Sequence, residues 1–423
     1  MKFTIYQDEL LELLDTEEVS DYQSEKEKFK EDIRNIRECG IKSIRNGRTI
    51  VMEYLFRLFD LDEFEAYLVI LSFCSELDHK MQMIYSSLTD HTDSFVPTLN
   101  LAIEMYTDDE IVRRRLQAQC IKRWETLAFL FAGFCETSSA IATDIRTGYF
   151  EQKLKLDYRI LAYLQNIESS DKSLSGIVQY HYPGNTEQEL LIHREIAEGL
   201  ERVSEKSETP CIFFLKGERG AGKKFQALKY CERHRDTLLL IDSKRIPKDA
   251  FEKKFLLRRI IREALLQGNA AIGIYDLEAE PDSNKVDWEK VEDLLWGMDY
   301  WKGTLFLTSK YEWNQKVQEN ERCVWKFSIP ETTTEERIIL WNTLFSQEIA
   351  PKDIRLEFLA DKYVLSAGSI EKCIRTYINR MLIEDGEGKS QWLLEACREQ
   401  IDHRLGNDAV RIRAQYTWDD LVL

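Results

Sequence analysis

The chain has 423 residues, of which 43% are hydrophobic and 31% are charged, and its formal net charge is −17. This length exceeds what one compact core usually supports, so we expect two or three domains. The acidic balance disfavours nonspecific binding to nucleic acid or to anionic membranes, because both require a basic surface. Nucleic acid is therefore not an expected partner.

Two further features exclude other classes of protein. No segment approaches the ~20 consecutive apolar residues that span a bilayer, and the N-terminal MKFTIYQDELLELLDTEE lacks the basic-then-apolar layout of a secretory signal. The nine cysteines are scattered without a C-x-x-C pair, which disfavours a disulfide framework or a zinc site. We predict a cytoplasmic protein without a membrane partner.

Residues 1–165 are predicted to form a mostly helical N-terminal domain. In the run 61–78, Asp62 is a candidate N-cap, and apolar residues recur along one helix face at Phe64, Leu68 and Leu71. Two further apolar helices are expected at 97–106, with Pro97 in the first turn, and at 124–134. The composition of 166–184, rich in Ser and Gly, predicts an exposed linker.

From residue 185 to 330, apolar strands alternate with helices, which predicts a parallel sheet covered on both faces. The expected strands are CIFFLKG (211–217), TLLLID (237–242), AAIGIYD (270–276), GTLFLTSK (303–310) and CVWKFSIP (323–330). The expected helices are 225–234, 251–267 and 288–301. Beyond Pro330 the strands stop, and a capping box at Thr333 and Glu336 opens a helical region over 331–405.

The stretch GERGAGKKF follows the first of these strands. It matches the phosphate-loop pattern G-x-x-x-x-G-K-[ST], except that Lys224 stands where the pattern has Ser or Thr. Such a loop turns several backbone N–H groups toward one point, and its lysine reaches the β- and γ-phosphates. We predict that ATP or ADP binds to the loop residues Gly217, Glu218, Arg219, Gly220, Ala221, Gly222, Lys223, Lys224 and Phe225.

Candidate catalytic residues follow two later strands. Asp276 ends the strand AAIGIYD, in the place of the acid that orients Mg²⁺ in P-loop enzymes, and is the candidate metal ligand. Glu278 is either a displaced general base or a surface carboxylate, and it points the same way as Asp276 only if the chain stays extended. Thr308, or its neighbour Ser309, ends GTLFLTSK and either senses the terminal phosphate or simply starts a loop.

The replacement at Lys224 decides what the site is expected to do. It removes a direct Mg²⁺ ligand, and a second ammonium replaces part of the metal's charge but not its role in positioning phosphates. Because phosphoryl transfer needs both positioning and charge stabilisation, we predict nucleotide binding with slow or absent hydrolysis. Whether Mg²⁺ binds is left open.

In this order the motifs resemble those of AAA+ ATPases, with an α/β P-loop core over 185–330 and a helical lid over 331–405. The strings SELDHKMQMIYSSL, PTLNLA and TWDDLVL are similar to a tandem AAA+ family that has an N-terminal winged-helix-like domain, a degenerate first ATPase module and an intact second one. Many members are encoded beside contractile injection systems. The resemblance implies that 406–423 leads into a second module beyond this chain, and that the partners are proteins or further copies in a ring.

The sequence also departs from the AAA+ pattern. The glutamate that normally follows the strand-end acid is Leu277 here, and Glu371 takes the place of a nucleotide-sensing arginine in the lid, with Arg375 one turn later. The best candidate for an arginine that reaches a neighbour's ATP is Arg322. These departures favour a degenerate module.

Three functions remain open. The first is a nucleotide-binding module that serves as the regulatory or structural part of an ATPase that remodels protein assemblies. The second is an active ATPase, and the third is a DNA-binding winged-helix switch protein. The candidate recognition helix for the third, DHKMQMIYSSLTD, carries only one lysine, which disfavours DNA binding.

Overall fold

The structure is a computed structural model that describes residues 51–88, 96–132, 149–278, 286–313, 324–384 and 390–405, with Phe134 and isolated positions between 28 and 50. Within these ranges it does not describe 168, 185–188, 190, 288, 298–299, 346–349 and 352. The chain divides into two compact units, residues 1–169 and 170–423.

The first unit is helical. Its described helices are α1 (Val51–Leu58), α2 (Glu63–Leu77), α3 (His79–Leu88), α4 (Leu99–Tyr106), α5 (Glu110–Lys122), α6 (Trp124–Leu130) and α7 (Tyr158–Leu164). Asp62 caps α2 in a full capping box with Glu65, and the predicted apolar face at Phe64, Leu68 and Leu71 is buried. The predicted helix 61–78 is confirmed.

Short extended segments join the helices of this unit and correct two predictions. Phe131 is extended and forms an antiparallel bridge with Leu156, so the helix predicted to reach residue 134 ends at Leu130. Thr98 bridges to Lys153 and also caps α4, which places Pro97 before the helix rather than in its first turn. Both corrections arise because local apolar runs do not reveal where a segment pairs with a distant one.

The second unit is built on a six-stranded sheet. The strands are β1 (Val178–His181), β2 (Ile212–Lys216), β3 (Leu238–Asp242), β4 (Ala271–Tyr275), β5 (Leu305–Ser309) and β6 (Val324–Ser328). Their order is β1-β3-β4-β5-β2-β6; β2 to β6 run parallel, and β1 is antiparallel to β3. The helices of this part are α8 (Arg194–Lys206), α9 (Lys223–His234), α10 (Ala250–Leu266) and α11 (Glu289–Gly297).

The central strands are apolar because both of their faces are covered, as expected of a parallel sheet. Since β2 to β6 are parallel, their carboxyl ends meet at one edge. The register there places Lys216 beside Ser309 and Asp242 beside Tyr275. Ligands of open α/β sheets bind outside this edge.

The predicted linker 166–184 requires a correction. Val178–His181 form β1, in register with Leu238–Ile241, and a 3₁₀ turn occupies Lys172–Leu174. Ser and Gly flank this strand and hid it in a composition-based prediction. The sheet therefore begins before residue 185.

The remaining helices form a lid with its own core. They are α12 (Thr334–Leu344), α13 (Leu356–Lys362), α14 (Ala367–Glu384) and α15 (Ser390–Leu405). Thr333 and Glu336 form the predicted capping box, and Trp341, Tyr377 and Leu393 are buried between the helices. Residues 406–423 and Arg322 lie outside the described part of the chain.

The predicted fold class is confirmed: a mostly parallel α/β sheet with a helical lid follows a mostly helical unit. Among the described helices, none is both long and apolar enough for a membrane crossing.

Candidate nucleotide site

The predicted phosphate loop connects β2 to α9 at the carboxyl edge of the sheet. Gly220 and Gly222 have φ values of +80° and +96°, which glycine adopts far more readily than other residues. The Gly217 N–H donates to the Ser309 carbonyl at 3.0 Å, and the Ala221 N–H donates to the Glu218 carbonyl at 3.2 Å. These bonds fix the loop as a tight turn over the ends of β2 and β5.

The N-terminus of α9 presents unused hydrogen-bond donors. Within the described residues, the N–H groups of Gly222, Lys223, Lys224 and Phe225 donate no hydrogen bond, whereas Gln226 N–H donates to the Gly222 carbonyl at 2.9 Å. A helix N-terminus also carries partial positive charge. The loop therefore offers a ready site for an anion such as a phosphate group.

Lys223 lies in the hollow of the loop. It is buried, and its ammonium donates to the Gly217 carbonyl and, at 3.0 Å, to the Glu218 carbonyl. Burial lowers the pKa of Lys223, and the charges of Asp276 and Glu278 oppose that shift. An incoming phosphate would give this ammonium a charged partner in place of two neutral carbonyls.

Lys224 points to the end of β4. Its Nζ lies 3.1 Å from the centroid of the Tyr275 ring, a cation–π contact. Burial lowers the pKa of Lys224, while the carboxylates of Asp276 and Asp242 act in the opposite direction. The ammonium thus occupies the acidic end of β3 and β4, where a metal would be expected.

Asp276 lies where the chain leaves β4. Its φ is +55°, its N–H donates to Thr308 Oγ1 at 3.3 Å, and its carbonyl accepts from Ser243 Oγ at 2.5 Å. The Glu278 N–H also bonds to the Asp276 carbonyl, at 2.8 Å. The chain therefore turns after β4, so the condition under which Glu278 would point the same way as Asp276 is not met.

Glu278 is held by neighbours on two sides. Its carboxylate lies 3.3 Å from the Arg219 guanidinium and accepts the Lys310 N–H at 3.3 Å. The side chain of Glu278 is 15% exposed, whereas that of Arg219 is 66% exposed. Leu277, in the position of the usual glutamate, is fully buried. Neither Leu277 nor Glu278 therefore offers a free carboxylate for the role of general base.

The lid touches the loop directly. The Gly368 N–H, in the first turn of α14, donates to the Gly220 carbonyl at 2.9 Å. A Cβ on Gly368 would lie 3.0 Å from Gly220 Cα, tighter than most contacts, so this close approach favours glycine. Farther along α14, the Glu371 and Arg375 side chains pair at 2.7 Å, which engages both candidates for the sensing position with each other.

A second contact joins the core to the lid. His193, buried and left-handed at φ 54°, precedes α8, and its Nδ1 lies 3.3 Å from Glu336 of the α12 capping box. The Gln226 side chain of α9 donates to the His193 carbonyl at 3.1 Å. The start of α9 is therefore connected to the lid through His193.

The residues around Asp276 do not fit a bound Mg²⁺. The hydroxyl ligand is replaced by Lys224, whose ammonium already compensates the local carboxylates. A nucleotide's phosphates, in contrast, fit the free N–H groups and the two lysines.

The structure brings the predicted site residues to one edge of the sheet, because β2, β4 and β5 end there together. Sequence reasoning missed Tyr275, Asp242, Ser243 and Gly368. Asp242 ends a predicted strand of the same sheet, which was a usable signal. Gly368 gave no such signal, since its contact with the loop joins residues far apart in the chain.

The strand order and the loop after β2 define a P-loop type of α/β fold, which follows a helical unit along the chain. Residues 8–178 match the family model "Winged helix domain, variant". A search of the curated proteins gave no match. A solved chain described as "Structural Basis for Katanin Self-Assembly" is similar at 13% identity with a TM-score of 0.41, over 55% of this chain and 92% of that one.

Proposed function

We propose that the second unit is a nucleotide-binding module of the AAA+ type that holds ATP or ADP but hydrolyses it weakly or not at all. In this proposal it serves as the regulatory or structural N-terminal part of an ATPase that remodels protein assemblies. The observation that carries it is the set of free N–H groups at the start of α9, beside two lysines, one of which replaces the usual hydroxyl ligand of the metal.

Weak hydrolysis follows from what the loop edge lacks. The attacking water needs a base, and Leu277 is buried while Glu278 is paired with Arg219 and Lys310. The phosphates also need a positioning metal, and Lys224 supplies charge without coordination geometry. Asp276 and Thr308 remain as polar groups near the phosphates. The alternative of an active ATPase requires Glu278 to leave its partners.

The biological setting is proposed from the resemblance alone. Partners would be proteins, including further copies of the chain in a ring, and a contractile injection system would supply the client. A cytoplasmic location belongs to the same proposal.

Nucleotide binding is tested by isothermal titration of the full chain with ATP and with ADP, in Mg²⁺ and in EDTA. We expect binding in both buffers with similar Kd, because the lysines and N–H groups replace the metal. Phosphate release should stay near background.

The test variant is Lys223→Ala, which removes the loop ammonium and should abolish binding. Lys229→Ala, later in α9 and paired with Glu232, should bind as the unmodified chain does. Brisk Mg²⁺-dependent phosphate release, or no binding of either nucleotide, would contradict the proposal.

A further inference from the structure

Three cationic side chains lie on the phosphate loop, and only two of them have an assigned role. Lys223 occupies the hollow of the loop, and Lys224 lies against Tyr275. The third, Arg219, is an exposed residue that directly precedes Gly220, whose φ is +80°.

Arg219 is only weakly held. In the described part of the chain its contact is the 3.3 Å pair with Glu278, and most of its side chain is exposed. Exposed ion pairs contribute little to stability, because water screens them. Glu278 keeps a second bond from the Lys310 N–H, so it stays in place if Arg219 leaves.

The position of Arg219 assigns it to one end of a bound nucleotide. Its partner Glu278 lies just after β4 and accepts the N–H of Lys310, just after β5, at the same edge of the sheet where Lys223 begins α9. In a phosphate loop that lysine reaches the β- and γ-phosphates. Arg219 therefore lies near the terminal phosphates, on the side of the loop that faces the ends of β4 and β5.

From this geometry, and resting on the proposed function, we propose that Arg219 exchanges Glu278 for the γ-phosphate and makes the site prefer ATP over ADP. A guanidinium binds a phosphate through two parallel hydrogen bonds, which are stronger than an exposed pair with a carboxylate. ADP has no γ-phosphate, so it leaves Arg219 on Glu278.

The test compares Kd for ATP and ADP, in EDTA, in the full chain and in two variants. Arg219→Gln should weaken ATP binding by about tenfold, the loss expected for one charged hydrogen bond, and change ADP binding less than about twofold. Glu278→Gln removes the competing carboxylate and should tighten ATP binding more than ADP binding.

Arg233→Gln is the matched control. Arg233 is a half-exposed arginine at the far end of α9 that pairs with Glu201 at 3.5 Å, and its loss should change neither Kd. Equal weakening of ATP and ADP in Arg219→Gln, or unchanged ATP binding in Glu278→Gln, would overturn this inference alone. Failure of the unmodified chain to bind either nucleotide would instead reject the proposed function.

Discussion

At Lys224 one substitution changes both the charge and the coordination chemistry of the site. A serine or threonine there would be neutral and would offer an oxygen. The lysine brings an ammonium that stacks on Tyr275 beside the carboxylates of Asp276 and Asp242. A divalent cation approaching these carboxylates would meet a resident positive charge.

Lys224→Ser should therefore make ATP binding dependent on Mg²⁺. The variant loses the resident cation and gains a hydroxyl ligand, so binding should weaken in EDTA and recover in Mg²⁺. Titration calorimetry in the two buffers measures this difference.

Lys224→Met serves as the control, since it removes the charge without adding an oxygen. It should bind more weakly in both buffers. Equal Kd values for Lys224→Ser with and without Mg²⁺ would show that the ammonium does not stand in for the metal.

The missing base is a matter of backbone direction as much as of residue type. Leu277 is fully buried, so a glutamate introduced there would bury a carboxylate and destabilise the unit instead of activating water. The sequence located Asp276 at the end of its strand, but the turn at φ +55° could not be read from it. For this reason the orientation of Glu278 was open until the structure was known.

Among the elements, the segment that leads into β1 is fixed by a buried ion pair. Asp171 lies 2.7 Å from Arg262 of α10, and both side chains are buried. Burial raises the pKa of Asp171. The hydrogen bonds from Ser173 and Arg262, together with the positive charge of Arg262, lower it by more than burial raises it, so the pKa lies below its usual value.

Asp171→Asn should destabilise the second unit by about 3–5 kcal/mol, because it removes the carboxylate from a buried ion pair with Arg262. Because the folded pKa is lowered, this stabilisation is fully present above the unfolded pKa of about 4 and is lost as the pH falls from there through the folded pKa. Urea unfolding at pH 7 and at lower pH measures both effects, and the variant should lack this pH dependence.

Asp249→Asn is a suitable control on the same helix. Asp249 caps α10 from the surface, and asparagine caps helices about as well, so the change should be within about 0.5 kcal/mol. If Asp171→Asn is as mild as this control, the pair does not hold the segment.

Elements with strong local signals were predictable. The caps at Asp62 and Thr333 and the five parallel strands follow from side-chain chemistry and apolar runs that act over a few residues. The strand β1 and the end of α6 at Leu130 depend on partners distant in the chain, and local pattern does not encode them. The helix α8 was likewise not predicted, although it buries a regular face at Ile196 and Leu200.

For the whole molecule, the charge balance bears on whether the N-terminal unit binds DNA. The helices α4 and α5 are joined by the short turn 107–109, the spacing of a helix-turn-helix pair, so the recognition helix would be α5 rather than the segment DHKMQMIYSSLTD. On or beside α5, however, Arg113 donates to the Thr107 carbonyl, Arg114 pairs with Glu110, and Arg123 pairs with the buried Glu65.

We expect no measurable binding of duplex DNA by the full chain at physiological salt. The exposed cations on α5 are Arg115, Lys122 and Arg114 in its exposed pair with Glu110, and these three are too few to offset a net charge of −17. Fluorescence anisotropy over a salt series is the measurement, with the double variant Arg115→Gln, Lys122→Gln as control. Tight binding that falls steeply with salt, and that this variant loses, would restore the DNA-binding alternative.

The hydrogen bond between Gly368 and Gly220 connects the lid directly to the phosphate loop. Because the contact joins the backbones of two glycines, we expect a change of loop conformation on phosphate binding to shift the first turn of α14, and a force on α14 to reach the loop. Occupancy of the nucleotide site and orientation of the lid would then be coupled. A module that rarely cleaves its nucleotide would then still signal, through this hydrogen bond, whether a nucleotide is bound.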